Sequence, residues 1–443
     1  MSKRSDAAAP SPVDVEAVQR HTVRTLVSTQ VLGGLGVGAA VSVNAMLAKD
    51  VSGVESLAGV AQTCAVLGTA GVTLLLAHVM DRRGRRIGLS LGYLLGALGT
   101  GVSILAGVVR VFPLLLVGAA LLGATTAANN QSRYAATDLS QPQHRGRDLS
   151  IVVWATTVGS VLGPNLSGPG KALAGAVGLP PLTGAYLFSG VGMIAALVVM
   201  LLRLRPDPLV LARAADLRAA HPRAAHPRDA HQRDGIPAPT ERASGWALLR
   251  ADRTLRLAAL GMALAHAVMV SVMVMTPIHM DHGHATLEII GLVISIHILG
   301  MYVFSPLVGI AVDRWGSWPV LTAGGVVLLL SLALSGTTHA GGSWQLGVGL
   351  FLLGVGWSLA TIACSTLVTA ASTPVTRPAV QGVTDLLQSL TAALGGAVAG
   401  VIVGGPGYAA LNGFAAVLAL GVLGAAWEVR RTAYRAETAP SRR

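Results

Sequence analysis

Residues 74–93 read LLLAHVMDRRGRRIGLSLGY. An apolar run stops at Asp81, a short charged turn follows, and a second apolar run begins. Far along the chain, residues 305–325 read SPLVGIAVDRWGSWPVLTAGG and repeat the arrangement with Asp313, Arg314 and Gly316. Each copy is Asp-Arg-x-Gly at the foot of an apolar segment. The glycine, Gly84 in the first copy, permits a tight turn that a Cβ would oppose, and the aspartate can pair with a basic group near a helix end. A charge cluster that simply stops an apolar segment accounts for either copy alone. It does not account for both at matching positions, which directs attention to the segments around them.

Those segments are apolar runs such as 25–47, 57–80 and 87–109, each long enough to cross ~30 Å of hydrocarbon as a helix. Of the 443 residues, 52% are hydrophobic and 12% charged, and the mean hydropathy is +0.63. Runs this long without alternation do not suit barrel strands, so the fold class expected is an all-α polytopic membrane protein. Hydropathy places twelve transmembrane helices at 25–47, 56–79, 87–109, 112–134, 149–171, 182–203, 254–280, 286–311, 318–338, 344–370, 379–403 and 407–428.

The formal charge of +12 suggests nucleic acid until the basic residues are located. All but three of the 32 Lys and Arg (the exceptions are Lys49, Arg110 and Lys171) lie on the side of the termini and the even-numbered loops. This is the positive-inside pattern, which predicts a bacterial-type inner membrane protein with both termini cytoplasmic. Charge therefore reports topology, and no nucleic-acid partner is expected. The polar stretch MSKRSDAAAPSP before a full-length span predicts no cleavable signal. Cys64 and Cys364 fall inside predicted spans and suggest no disulfide framework.

Composition divides the chain. A tail at 1–24 precedes a six-span unit at 25–203, and a linker at 204–253 precedes a second unit at 254–430 and a tail at 431–443. The linker contains HPRAA, HPRDA and HQRDG, too polar to bury a core. Its His221, His226 and His231 recur every five residues and are read either as metal traps or as low-complexity drift. Six spans, a linker and six spans, with Asp-Arg-x-Gly after the second span of each half, resemble the major facilitator superfamily. The resemblance covers about residues 20–432. It implies two pseudo-symmetric six-helix bundles that rock about a central site, with Asp81, Arg82, Gly84, Arg85, Asp313 and Arg314 in conformational coupling. The fifth span's GSVLGPNLSGPG, residues 159–170, resembles the Gly-Pro motif of that helix in the superfamily and predicts bending and close packing.

Polar side chains inside spans are candidate functional sites, because leaving them unpaired in a bilayer is costly. The fourth span supplies Asn129, Asn130, Gln131, Arg133 and Asp138; Arg133 lies where many superfamily members carry a functional arginine. Arg133 and Asp138 are also readable as boundary residues that snorkel. Asp385 and Glu288 are candidates for a coupling proton, or caps at the interface.

Six of the eleven methionines lie between 262 and 301. On a helix, Met262, His266, Met269 and Met273 fall within about 60° of one another, while Met275 points away. In the next span His297 and Met301 are one turn apart. Thioether and imidazole donors suit Cu(I) better than Zn²⁺, Mg²⁺ or Ca²⁺. A methionine stripe at helical spacing is ordinarily packing. Met269-Val-Ser-Val-Met273 followed by His297-Ile-Leu-Gly-Met301 resembles the paired motifs of the copper-acquisition CalT branch, the CcoA-like transporters of the superfamily. That resemblance implies Met269, Met273, His297 and Met301 as copper ligands, with His266 extending the stripe. His279, His282 and His284 lie at the expected outer mouth, as metal collectors or solvated loop residues.

The sequence is thus read as a secondary-active, monomeric transporter that takes copper into the cytoplasm. Cu(I) is its candidate substrate and no cofactor is permanently bound. No nucleotide-binding loop or catalytic triad marks an enzyme. The alternative is a small organic solute, by riboflavin-like import or drug-like efflux, and Trp154, Tyr186, Tyr302 and Trp357 are among its few candidate stacking residues.

Overall fold

The computed structural model describes residues 14–54, 57, 60–220, 244–285, 287–338 and 343–438, and these contain helices and no strand. The first half comprises α1 (Val15–Ser52), α2 (Val60–Arg83), α3 (Arg85–Val109), α4 (Phe112–Ala135), α5 (Arg145–Asn165), α6 (Ser167–Ala176) and α7 (Gly184–Arg203). Two linker helices follow, α8 (Pro208–Ala220) and α9 (Gly245–Ala251). The second half comprises α10 (Arg253–His282), α11 (Leu287–Tyr302), α12 (Ser305–Trp315), α13 (Ser317–Gly336), α14 (Ser343–Ala370), α15 (Arg377–Gly404) and α16 (Tyr408–Thr438). Among the described residues, eleven stretches are each long and apolar enough to span a bilayer, with α11 and α12 forming one of them. The broken pair α5–α6 makes the twelfth, so the fold is twelve spans in two sets of six. His221, His226 and His231 lie outside the described residues, as do the side chains of His282 and Glu288.

Local chemistry explains where the helices start and stop. Asp14 Oδ1 accepts from the amides of Glu16 and Ala17, both at 3.0 Å, so α1 begins well before its apolar run. The two Asp-Arg-x-Gly glycines adopt one conformation: Gly84 and Gly316 both have φ +85°, which ends α2 and α12 and starts α3 and α13. At Gly84 there is a second demand, since a Cβ would lie 2.5 Å from Asp207 Oδ2, which accepts the Arg86 amide at the start of α3.

Helices in lipid gain nothing from hiding apolar surface, so close backbone approach holds them together. The fifth span bends by 57° at its break, just after Gly163 and Pro164. A Cβ on Gly163 would lie 2.7 Å from Gly38 Cα, and one on Gly34 would lie 3.2 Å from Gly159 Cα. The α1–α5 crossing is therefore glycine against glycine. On the outside, Val401, Leu394, Val417 and Leu202 stand exposed, as side chains facing acyl chains do.

Candidate functional site

The contacts that join the halves gather on the side of the Asp-Arg-x-Gly loops. Asp313 Oδ1 and Oδ2 accept the amides of Gly146 (2.7 Å) and Arg147 (2.8 Å), so a carboxylate of the second half caps α5 of the first. On the other flank Arg213 of α8 bridges both halves. It donates to the Asp81 carbonyl (2.6 Å) and Oδ1 (2.7 Å), and to the Pro374 (3.0 Å) and Val375 (3.2 Å) carbonyls before α15. Arg82 and Arg314 are exposed. Arg85 is fully buried and donates to Asp138 Oδ2 (2.8 Å), Gln131 Oε1 (3.4 Å) and, across the halves, Gln381 Oε1 (2.7 Å). Arg377 reaches Asp138 from the second half at 3.6 Å.

One layer deeper, Arg133 Nη2 of α4 meets Asp385 Oδ1 of α15 at 2.6 Å, with both side chains almost fully buried. Arg133 and Asp138 therefore do not snorkel. Gln131 Nε2 donates to Asp385 Oδ2 at 2.8 Å, and Arg133 also donates to Gln388 Oε1 at 3.2 Å. A buried charge is tolerable only when paired and hydrogen-bonded, and this pair has both kinds of partner. Since α4 and α15 belong to opposite halves, the pair exists only while the halves are closed here.

Above this floor lies a cavity of about 590 Å³ between the halves. From the first half, Gln30, Asn129 and Asn130 present amides and Thr156 a hydroxyl; from the second, Tyr302 and Trp357 present aromatic rings, and Arg133 lies at the base. Gln30 Nε2 donates to Thr156 Oγ1 at 2.8 Å while its Oε1 is buried without a partner among the described residues. Asn129 Oδ1 accepts from the Tyr93 hydroxyl at 2.9 Å. Trp154 is exposed at the surface and Tyr186 is buried against Asn44, so neither lines this space.

The methionine–histidine stripe divides. Met262 lies 3.6 Å from Arg133 Nη2, and His266 Nδ1 accepts from Trp357 Nε1 at 2.8 Å, so the lower part of the α10 stripe faces the centre. Met269 is buried in an apolar cluster built mainly by the second half, and Met273 packs against it. On α11 the cavity-lining stripe is Ile294, Ile298 and Tyr302. His297 and Met301 stand one residue earlier, about 100° round the helix. That turns them toward the seam with α14, where a Cβ on Gly354 would lie 2.5 Å from the His297 carbonyl and 2.7 Å from the Met301 amide. His297 Nδ1 bonds the Leu350 carbonyl at 2.8 Å, and Nε2 is buried with no hydrogen-bond partner among the described residues. Helix α10 packs on α14, α15 and α16 and barely touches α11. No hydrogen bond joins Met269 or Met273 to His297 among the described residues. At the far end His279 stacks on Tyr408 with centroids 4.1 Å apart, and His284 is exposed.

Several residues of the buried network escaped the sequence reading: Arg377, Gln381 and Gln388. A signal was present, because Arg377, Gln381, Asp385 and Gln388 recur at i, i+4, i+8 and i+11, a polar stripe along one face of α15. Arg213 gave none, being one arginine in an arginine-rich linker.

Comparison with known proteins agrees with this architecture. The family model described as Major Facilitator Superfamily matches residues 26–289 and 258–443. The MFS-type transporter YddS of Bacillus subtilis (strain 168) is 35% identical, over 93% of this chain and 91% of its own length. The riboflavin transporter RfnT of Brucella anthropi is 28% identical, over 76% of this chain and 79% of its own. Among solved structures, the human organic anion transporter MFSD10 (TETRAN) superposes with a TM-score of 0.72 at 19% identity, covering 92% of this chain and 99% of that one.

Proposed function

The chain belongs to the major facilitator superfamily, and from that premise we propose that it carries a small organic solute through the central cavity by alternating access. The observation that carries this reading is the cavity itself. Its volume falls within the ~300–1,000 Å³ range of small-molecule sites, and it opposes an aromatic wall to an amide wall above a charged base. A planar heteroaromatic solute fits that pair of walls, stacking on Trp357 with Tyr302 set nearly perpendicular beside it and hydrogen-bonding along its edge to Gln30, Asn129 and Asn130. The similarity to RfnT, a riboflavin transporter, supports the same class.

The positive-inside pattern assigns the sealed face to the cytoplasm of an inner-membrane protein with both termini inside. The conformation is then outward-facing, with its cavity closed to the cytoplasm by the Arg133–Asp385 layer. Motion to the inward state breaks that pair, so a solute or proton that engages either partner biases the switch.

Copper uptake has one observation in its favour: His297 Nε2 is buried and has no hydrogen-bond partner among the described residues, with Met301 one turn away. It requires α10 and α11 to approach in another state of the cycle, so that Met269 and Met273 join His297 and Met301.

Uptake of riboflavin and of Cu(I) by proteoliposomes separates the readings, comparing wild type with Trp357→Ala, Met273→Ala and His297→Ala. Saturable riboflavin uptake that Trp357→Ala abolishes is the expected result. Copper uptake lost in Met273→Ala and His297→Ala, without riboflavin uptake in wild type, would overturn it.

A further inference from the structure

Directly behind the aromatic wall stands His266. It is not part of the cavity lining, yet it takes the only polar side-chain atom of a residue that is: Trp357 Nε1 donates to His266 Nδ1 at 2.8 Å. An indole N–H can only donate, so Nδ1 carries the lone pair and the neutral ring holds its proton on Nε2. The bond has two consequences for the cavity. It spends the indole's donor on α10, so the surface Trp357 offers a solute is ring carbon. It also fixes the indole from one side, while Tyr302 meets the same ring edge-on from α11, with centroids 5.8 Å apart and planes at 84°. Trp357, on α14, is thereby held by two other helices of its own half. The wall belongs to the second half as one body.

We propose that His266 is a positioning residue for the transported solute: by holding Trp357 from behind, it sets the plane on which a heteroaromatic ring stacks. The inference rests on the organic-solute reading above. It gives His266 a task that needs a nitrogen acceptor at Nδ1, which neither a packing residue nor a metal ligand through that atom would share. Glutamine can supply the acceptor; alanine cannot.

The test has two arms on the purified full-length chain. The first uses no solute. The Trp357 contribution to intrinsic fluorescence is taken as the difference between each background and the same background carrying Trp357→Phe, and its quenching by acrylamide is measured. In His266→Ala this component shifts to the red and quenches more readily; in His266→Gln it matches wild type. The second arm measures riboflavin uptake in proteoliposomes. His266→Ala raises KM about fivefold to tenfold, the size of one lost hydrogen bond, with the maximal rate held within about twofold. His266→Gln recovers most of the affinity, and His266→Ala with Trp357→Phe is no worse than Trp357→Phe alone, because both act through one bond. An unchanged Trp357 component in His266→Ala would overturn the proposal, as would equal KM increases in the alanine and glutamine variants. A wild-type chain that takes up no riboflavin would sink the solute reading, while the fluorescence arm still decides whether His266 holds Trp357.

Discussion

Arg133 and Asp385 show how context decides what a charged side chain in a span does. Each is a candidate from sequence because an ionisable group in a bilayer needs a partner. Pairing them required a fold that brings α4 and α15 together across 252 residues of chain. With the pair nearly sealed from solvent, removing one member leaves the other charge buried and uncompensated. Asp385→Asn should therefore destabilise the protein by about 3–5 kcal/mol, and Arg133→Gln with Asp385→Asn should recover much of that loss. Thermal unfolding in detergent, followed by size-exclusion fluorescence, measures both; an Asp385→Asn variant as stable as wild type refutes the assignment. The same distinction explains what the sequence reading of the methionine stripe could reach. A helical wheel correctly groups Met262 and His266, since they share a face of α10, and both meet central residues. It cannot say which neighbour a face meets. His297 and Met301 share a face too, but that face lies in the α14 seam, about 100° from the stripe that lines the cavity.

At the scale of the element, the spans were readable because the bilayer imposes a length and a polarity on each helix, and both are written in the local sequence. The Asp-Arg-x-Gly turns were readable for the same reason: Gly84 and Gly316 need a left-handed φ, and the motif supplies it locally. How helices cross was only hinted at, by GSVLGPNLSGPG, because contact depends on two distant segments at once. Here the structure permits a sharp forecast. Gly163→Val places side-chain atoms where Gly38 Cα already lies, forcing α5 away from α1 at a cost of about 1–3 kcal/mol or more. Gly168→Ala, a few residues on in α6, meets no atom within 4 Å and should be tolerated. Expression and melting temperature of the two variants, side by side, test whether glycine contact rather than glycine flexibility holds the crossing; equal behaviour would favour flexibility.

Across the whole molecule, the two flanks of the sealed face use related parts in different ways. On one flank Asp313 of the second motif caps α5 of the first half directly. On the other, Asp81 of the first motif binds Arg213, which carries the contact on to the turn before α15. The linker helix α8 thus works as a strap, fixed to the first half where Asp207 accepts the Arg86 amide and reaching the second through one guanidinium. Neither contact can survive separation of the halves on this face, so both stabilise the present state relative to the alternate one. Arg213→Ala removes four hydrogen bonds, and Asp313→Asn removes the anion at the α5 N-terminus, worth about 0.3–1 kcal/mol. Each should shift the population toward the state open on this face, a factor of about two to five for Asp313→Asn. Because the two sites share no partner, the double variant should shift by the product of the two factors. Spin labels at positions 54 and 337, on the opposite face and in opposite halves, report the shift as a growing short-distance population in pulsed dipolar spectra. If the double variant moved no further than Arg213→Ala alone, the flanks would be acting as one coupled latch. If neither single variant moved the distribution, the strap and the cap would be packing features of a face held shut by the Arg133–Asp385 layer alone.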